Sequence, residues 1–208
     1  MLTENTFHFL SMGILLGLSA GLSPGPLLTL VLTQTIKYNK SEGIKVALSP
    51  LITDLPIILI TLFIFKELSQ FDLVLGMISF VGGAFVAYLG YESIKTKKLN
   101  LKIVDEKSQS IQKGIITNSL SPHPYLFWAT VGIPLLFKAY EISLQNAIIF
   151  MSSFYVMLVG SKVTIAIIVS RTKVFMGQKA YGWIMKVLGA ALLVFSLMFI
   201  YEGIKYLK

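Results

Sequence analysis

Long apolar segments without charged residues recur along the whole chain and constrain its fold more than any other feature. A helix needs about 20 consecutive apolar residues to cross the hydrocarbon core of a bilayer, and several segments here reach that length. Charged residues make up only 13% of the 208 residues, against about 25% in a soluble domain. The sequence therefore predicts an all-α integral membrane protein and excludes soluble enzymes and nucleic-acid-binding domains.

Six membrane-spanning segments are predicted, at about residues 7–36, 46–65, 73–91, 114–137, 142–170 and 182–204. The first is too long for one straight crossing, because 30 residues at about 1.5 Å each extend about 45 Å. The sequence Ser23-Pro24-Gly25-Pro26 lies near its middle and predicts a broken helix, since proline removes a backbone donor and displaces the preceding turn. The N-terminus lacks the basic start of a signal peptide, so this first helix is predicted to be retained.

The basic residues between the apolar segments indicate an orientation. Twelve lysines and arginines lie in or beside the first, third and fifth loops, and four lie on the opposite side. Cytoplasmic loops carry such an excess, so both termini are predicted to lie outside. The densest charge is in residues 93–113, a predicted cytoplasmic linker between residues 1–92 and residues 114–208. The chain has no cysteine, which excludes disulfides and thiolate metal sites.

Two short patterns occur once in each half of the chain. Leu22-Ser23-Pro24-Gly25-Pro26 in the first span is followed by Leu120-Ser121-Pro122-His123-Pro124 in the fourth, and YESIK at 91–95 is followed by YEGIK at 201–205. Each half holds three predicted helices, an odd number, so the two copies would have opposite orientations. The prediction is two inverted three-helix repeats with broken helices one and four, a pattern that indicates a transporter's binding site.

The two breaks are predicted to lie near the bilayer midplane and to face one cavity. A half-helix that restarts at Pro26 or Pro124 presents unpaired backbone N–H groups and the positive end of its dipole, both of which suit a carboxylate. The alternative is that the proline pairs only kink helices for packing. The predicted substrate-binding residues are Ser23, Pro24, Gly25, Pro26, Ser121, Pro122, His123 and Pro124.

Two charged residues are predicted within the bilayer. A carboxylate at the bilayer centre costs about 2.5 to 3.5 kcal/mol, so Asp54 is expected to face the cavity and act in coupling. A structural anchor is the alternative role for Asp54. Lys162 lies about 9 Å from the centre of its span and is predicted to bind a substrate carboxylate or to pair with Asp54. The alternative for Lys162 is a side chain that extends to the membrane surface.

Three glycines in the first span, Gly13, Gly17 and Gly21, are spaced by four residues. This spacing places small residues on one helix face and lets a second helix approach closely. We expect them to pack against a neighbouring helix rather than to contact a ligand.

The chain resembles the LysE/RhtB (LysE-type translocator) family of exporters. The resemblance is carried by Ser23-Pro24-Gly25-Pro26, by Asp54 in the second span, and by Ser121-Pro122-His123-Pro124-Tyr125-Leu126-Phe127-Trp128. In the last motif the family has asparagine and lysine where this chain has Ser121 and His123. The resemblance extends over essentially the whole chain and implies export of amino acids or similar small metabolites, driven by proton influx.

The sequence is thus interpreted as a secondary transporter of the cell (cytoplasmic) membrane. Its expected partners are a small-molecule substrate, protons and the lipid bilayer, with no cofactor, resident metal or nucleic acid. The main alternative is an exporter of divalent metal or inorganic cations from the same superfamily. An intramembrane enzyme and a non-catalytic scaffold are weaker alternatives. The substrate, the coupling ion and assembly into a homo-oligomer stay open.

Overall fold

The computed structural model describes residues 2–64, 68–95, 108–173 and 177–207. Within these ranges the secondary structure consists of ten α-helices and one π-helical turn, with no strand. The helices are α1 (Leu2–Leu22), α2 (Pro26–Lys37), α3 (Lys40–Ala47), α4 (Ser49–Ile64), α5 (Leu68–Lys95), α6 (Ser110–Ser119), α7 (Pro122–Phe127), α8 (Ile133–Ile142), α9 (Leu144–Lys173) and α10 (Gln178–Tyr206); the π-helical turn is Trp128–Gly132.

In the described part of the chain, five helical segments are long and apolar enough to cross a membrane: Asn5–Leu22, Lys40–Leu62, Asp72–Lys95, Leu144–Thr172 and Lys179–Tyr206. They overlap five of the six predicted spans. The remaining predicted span, about residues 114–137, is divided among α6, α7, the π-helical turn and α8. The second predicted span also differs, because it comprises α3 and α4 and begins earlier than expected. The protein is therefore an all-α membrane protein, and its described residues contain five candidate spans.

Both predicted helix breaks are present. Helix α1 ends at Leu22 and α2 begins at Pro26, with Gly25 in an extended conformation between them. Helix α6 ends at Ser119 and α7 begins at Pro122, two residues before the predicted restart at Pro124, with Ser121 extended before it. Proline suits the first position of a helix, where its missing N–H leaves no hydrogen bond unmade. Proline therefore follows the end of one helix and begins the next helix at both breaks.

The glycine face of α1 packs against α9, as the spacing predicts. Gly13 lies against Ser153 and Gly17 against Met157. The third glycine of the series contacts α9 further towards the C-terminal end of that helix. A side chain on this face would hold the two helices apart. The long α1 and α9 therefore run parallel and in close contact.

Gly17→Ala is expected to destabilise the protein by about 1–3 kcal/mol, because the added Cβ would overlap the backbone carbonyl of Phe154. Thermal unfolding of the purified protein in detergent measures this change. Gly160→Ala on α9 is the matched control, since a Cβ there meets nothing within 4 Å. Equal unfolding temperatures for the two variants would contradict the close packing of α1 on α9.

An ionic cluster joins the ends of three helices on the side predicted to be cytoplasmic. The Glu92 carboxylate of α5 accepts from Lys37 Nζ of α2 at 2.8 Å and from Lys113 Nζ of α6 at 2.8 Å. Burial alone would lower the pKa of Lys37, but the adjacent Glu92 carboxylate outweighs it and the pKa is raised. Of the predicted linker at 93–113, residues 96–107 lie outside the described residues.

Glu92→Gln is expected to lower stability by about 1–3 kcal/mol, between the values for exposed and buried ion pairs. The substitution removes the carboxylate that lies between two ammonium groups. Glu141→Gln, at an exposed position near the end of α8, is the control. If both variants unfold at the wild-type temperature, the cluster does not stabilise the helix ends.

Candidate functional site

A cavity of about 270 Å³ lies between the two helix breaks. Residues of α1, α2, α4, α6, α7, the π-helical turn, α9 and α10 form its walls. Of the ten residues that the sequence singled out for binding or coupling, nine line this cavity: Ser23, Pro24, Gly25, Pro26, Asp54, Ser121, His123, Pro124 and Lys162. The tenth, Pro122, is buried in the first turn of α7 and does not line the cavity. Residues about 140 positions apart in the sequence thus share one chamber.

The first turn of α2 forms part of the cavity wall. Pro26 starts the helix, Gly25 precedes it, and no side chain caps the first backbone N–H groups. Leu27 and Leu28, whose N–H groups belong to this turn, also line the cavity. Uncapped N–H groups at a helix start attract anions. This end of the cavity can therefore accept a carboxylate.

The second break contributes Ser121 and His123. Ser121 precedes α7 without capping it through its side chain, and its Oγ lies 3.5 Å from His123 Nδ1. The imidazole is exposed to the cavity and lies over the ring of Phe199, with centroids 5.7 Å apart. Both side chains can exchange hydrogen bonds with a small polar molecule.

Asp54 is the buried carboxylate of the cavity, with only 4% of its surface exposed. Asn118 Nδ2 donates to its Oδ1 at 3.0 Å, and the Tyr155 hydroxyl donates to its Oδ2 at 3.2 Å. Asn118 Nδ2 also lies 2.6 Å from Thr53 Oγ1, which fixes the amide beside the carboxylate. Neutral donors from two other helices therefore hold Asp54, and none of them supplies a balancing charge.

Lys162 is buried as well, with 3% of its surface exposed. Its Nζ donates to the carbonyl oxygens of Ala20 and Gly21, each at 3.1 Å. These carbonyls lie in the last turn of α1, where a helix leaves its C=O groups without internal partners. The lysine thus closes the end of α1 instead of extending to the membrane surface. Among the described residues, Lys162 forms no ion pair with Asp54, although both line the cavity.

Sequence reasoning missed the role of Asn118 and left Tyr155 without one. Asn118 comes three residues before Ser121 in an apolar segment, which is the signal that could have identified it. Tyr155 carries no comparable signal, because its contact with Asp54 depends on how α4 and α9 are placed. The sequence also gave no sign that the partners of Lys162 are backbone carbonyls.

Apart from Thr117, the remaining wall of the cavity is aromatic and apolar. Phe127 stacks on Phe154, with ring centroids 5.2 Å apart and an interplanar angle of 11°. The Trp128 ring meets Phe154 edge to face at 5.6 Å. Within the described residues, no group of three or more His, Cys, Asp or Glu side chains is placed to hold a metal ion.

A helical membrane bundle that encloses a charged cavity between two broken helices has the architecture of a transporter. The sequence matches the family model described as LysE type translocator over residues 18–203. Because this match covers most of the 208 residues, the chain belongs to the LysE type translocator family. Comparison with curated proteins and with solved structures gives no match. The family membership confirms the resemblance and makes the chain a multi-pass membrane transporter.

Proposed function

We propose that the protein exports amino acids or similar small metabolites across the cytoplasmic membrane in exchange for protons. The observation that carries this proposal is the cavity itself, which contains one buried carboxylate, Asp54, and one buried ammonium group, Lys162. An amino acid carries the complementary pair of charges. Neither Asp54 nor Lys162 neutralises the other by direct contact, so both charges remain available to a bound molecule.

The substrate carboxylate binds at the start of α2, where the N–H groups of Leu27 and Leu28 have no side-chain cap. Lys162 lies at the adjoining end of α1 and uses two of its three N–H donors on α1 carbonyls. Ser23 and Ser121 supply hydrogen bonds from the two breaks. The first turn of α7 contributes Pro124 to the cavity wall.

Asp54 couples export to proton entry by binding either the substrate's ammonium group or a proton. The donors Asn118 and Tyr155 keep its carboxylate in position during the exchange. One proton moving down a potential of 100 mV supplies about 2.3 kcal/mol. That free energy supports an outward substrate gradient of up to about 50-fold.

The proposal also includes six membrane crossings arranged as two inverted three-helix repeats. In this arrangement α6, α7, the π-helical turn and α8 together form the fourth crossing. The directions of the helix pairs support it. Spans one and five, α1 and α9, run parallel. Inversion would relate this pair to spans four and two, and α6 and α4 are indeed parallel, since Ser49 lies against Gly114 and Thr53 contacts Asn118.

Spans three and six, α5 and α10, also have the relative direction that the inverted arrangement requires. An axis in the membrane plane would exchange these two helices with each other, so they must run antiparallel. Gly76 of α5 lies against Gly203 of α10, and Gly90 lies against Gly189. The contacts thus run in opposite directions along α5 and α10, so the two helices are antiparallel. With the basic loops in the cytoplasm, both termini lie outside.

Transport into inside-out vesicles tests the proposal. The vesicles contain the purified protein in their membrane and have an acidic interior. A panel of labelled amino acids is added outside, and a divalent cation such as Mn²⁺ is tested in parallel. Accumulation of an amino acid that collapses with the proton gradient supports the proposal. Movement of the cation with no amino acid transported would favour the metal-exporter alternative and overturn the proposal.

A further inference from the structure

We infer that the cavity selects neutral amino acids with apolar side chains over basic and acidic ones. This inference rests on the proposed function and narrows its substrate class. Three properties of the cavity carry it: the balance of its charged side chains, the apolar composition of much of its wall and its volume.

The charged side chains of the cavity are matched to a zwitterion. Asp54 and Lys162 are the acidic and basic residues among the described residues that line it. The α-ammonium and α-carboxylate of an amino acid satisfy one carboxylate and one ammonium group. Every further charge on the substrate would be buried without an opposite charge, which is strongly unfavourable in a membrane interior.

Basic substrates lack a partner for their side chain. The ammonium group of lysine or the guanidinium of arginine would need a second carboxylate in the cavity wall. Among the described lining residues Asp54 is the carboxylate, and the α-ammonium group already requires it. The neutral donors Asn118 and Tyr155, which bond to Asp54, cannot take that second role.

Acidic substrates meet the reverse problem. Lys162 already donates to two carbonyl oxygens of α1, so it has at most one N–H to offer. The uncapped start of α2 can accept one carboxylate beside it. A second carboxylate could still meet the Ser121 hydroxyl or the His123 imidazole, but the described lining residues offer it no second lysine or arginine.

The apolar part of the cavity wall is suited to an apolar side chain. Phe127, Phe154, Phe195, Phe199 and Met198 contribute rings and a thioether to the cavity surface. Burial of each substrate methylene against such a wall increases affinity about fourfold. The apolar wall therefore increases the affinity of the cavity for leucine, methionine or phenylalanine, and it does not do so for an amino acid with a charged side chain.

The volume restricts the size of the substrate. At about 270 Å³ the cavity is smaller than the sites of about 300–1,000 Å³ that hold drug-sized ligands. A single amino acid fits this class of site better than a peptide or a nucleotide.

Competition for transport tests the inference on the wild-type protein in vesicles. The labelled substrate is the best one found in the panel, and unlabelled leucine, methionine, phenylalanine, lysine, arginine, aspartate and glutamate compete. We expect the three neutral apolar amino acids to inhibit at concentrations at least about 50-fold lower than the charged ones. A preference for lysine, arginine or an acidic amino acid would overturn the inference and leave the proposed function intact. Transport of no amino acid at all would overturn both.

A designed change of specificity gives a second test. Met198 lines the cavity on α10, and Met198→Glu would add the missing second carboxylate at similar side-chain length. We expect lysine to compete at least about tenfold better in this variant than in Met198→Gln, the uncharged control. If the two variants fold and lysine competes equally in both, the shortage of carboxylates is not what excludes basic substrates.

Discussion

Replacing Asp54 with asparagine is expected to leave a folded protein that equilibrates its substrate without concentrating it. Asparagine has the shape of aspartate, and its side-chain oxygen can still accept from Asn118 Nδ2. Tyr155 can reorient its hydroxyl to accept from the new amide. The substitution thus removes the exchangeable proton and the charge while retaining the packing. This is the largest functional effect that the account predicts.

The expected accumulation ratio of the substrate follows from its coupling to proton exchange. With the membrane potential clamped at zero, one pH unit across the vesicle sustains about a tenfold accumulation for each proton exchanged. The Asp54→Asn variant should reach a ratio of about one, independent of the imposed pH difference. Asp72→Asn, an exposed aspartate in the first turns of α5, should retain the wild-type ratio. Concentrative transport by Asp54→Asn with unaltered pH dependence would show that Asp54 does not couple.

Lys162→Met is expected to produce the second largest effect, on both stability and transport. Methionine has a similar length but cannot donate to the carbonyls of Ala20 and Gly21. Each buried acceptor left without a donor costs about 1–3 kcal/mol, and cavity water can recover part of this. We therefore expect a loss of about 2 kcal/mol in stability, and a higher substrate KM because the carboxylate loses its ammonium partner.

Thermal unfolding and substrate saturation curves separate these two roles of Lys162. Lys186→Met on α10 is the control, because this lysine is exposed and does not line the cavity. A Lys162→Met protein with normal KM and reduced stability would restrict the residue to a structural role at the end of α1. Normal stability together with normal KM would contradict both parts of the account.

The helix breaks and the inward position of Asp54 could be predicted because they depend on local chemistry. Proline fixes its own backbone angle and removes a donor whatever surrounds it, so a break at each proline pair could be predicted. Helix α2 begins at Pro26 as predicted, whereas α7 begins at Pro122 and not at Pro124. A carboxylate in an apolar segment must avoid lipid, which requires Asp54 to face the interior. The four-residue spacing of Gly17 and the other two glycines of α1 likewise predicts a close helix contact.

Other features depend on how distant helices meet and could not be derived from the sequence. The hydrogen bonds of Asn118 and Tyr155 to Asp54 require the register of α6 and α9 against α4. The π-helical turn at Trp128–Gly132 precedes Pro134, and a proline there is compatible with either a kink or a wider turn. Lys162 binds main-chain oxygens, which residue types do not reveal.

The most direct test of the central claim is thiol labelling at the cavity, for which the cysteine-free sequence provides a clean background. Ser121→Cys places one thiol in the cavity, and Ser152→Cys places one on an exposed face of α9 away from it. A small thiol reagent should abolish transport by Ser121→Cys, substrate should slow that reaction, and Ser152→Cys should remain active. Complete labelling of Ser121→Cys with transport unchanged would show that substrate does not pass through this cavity.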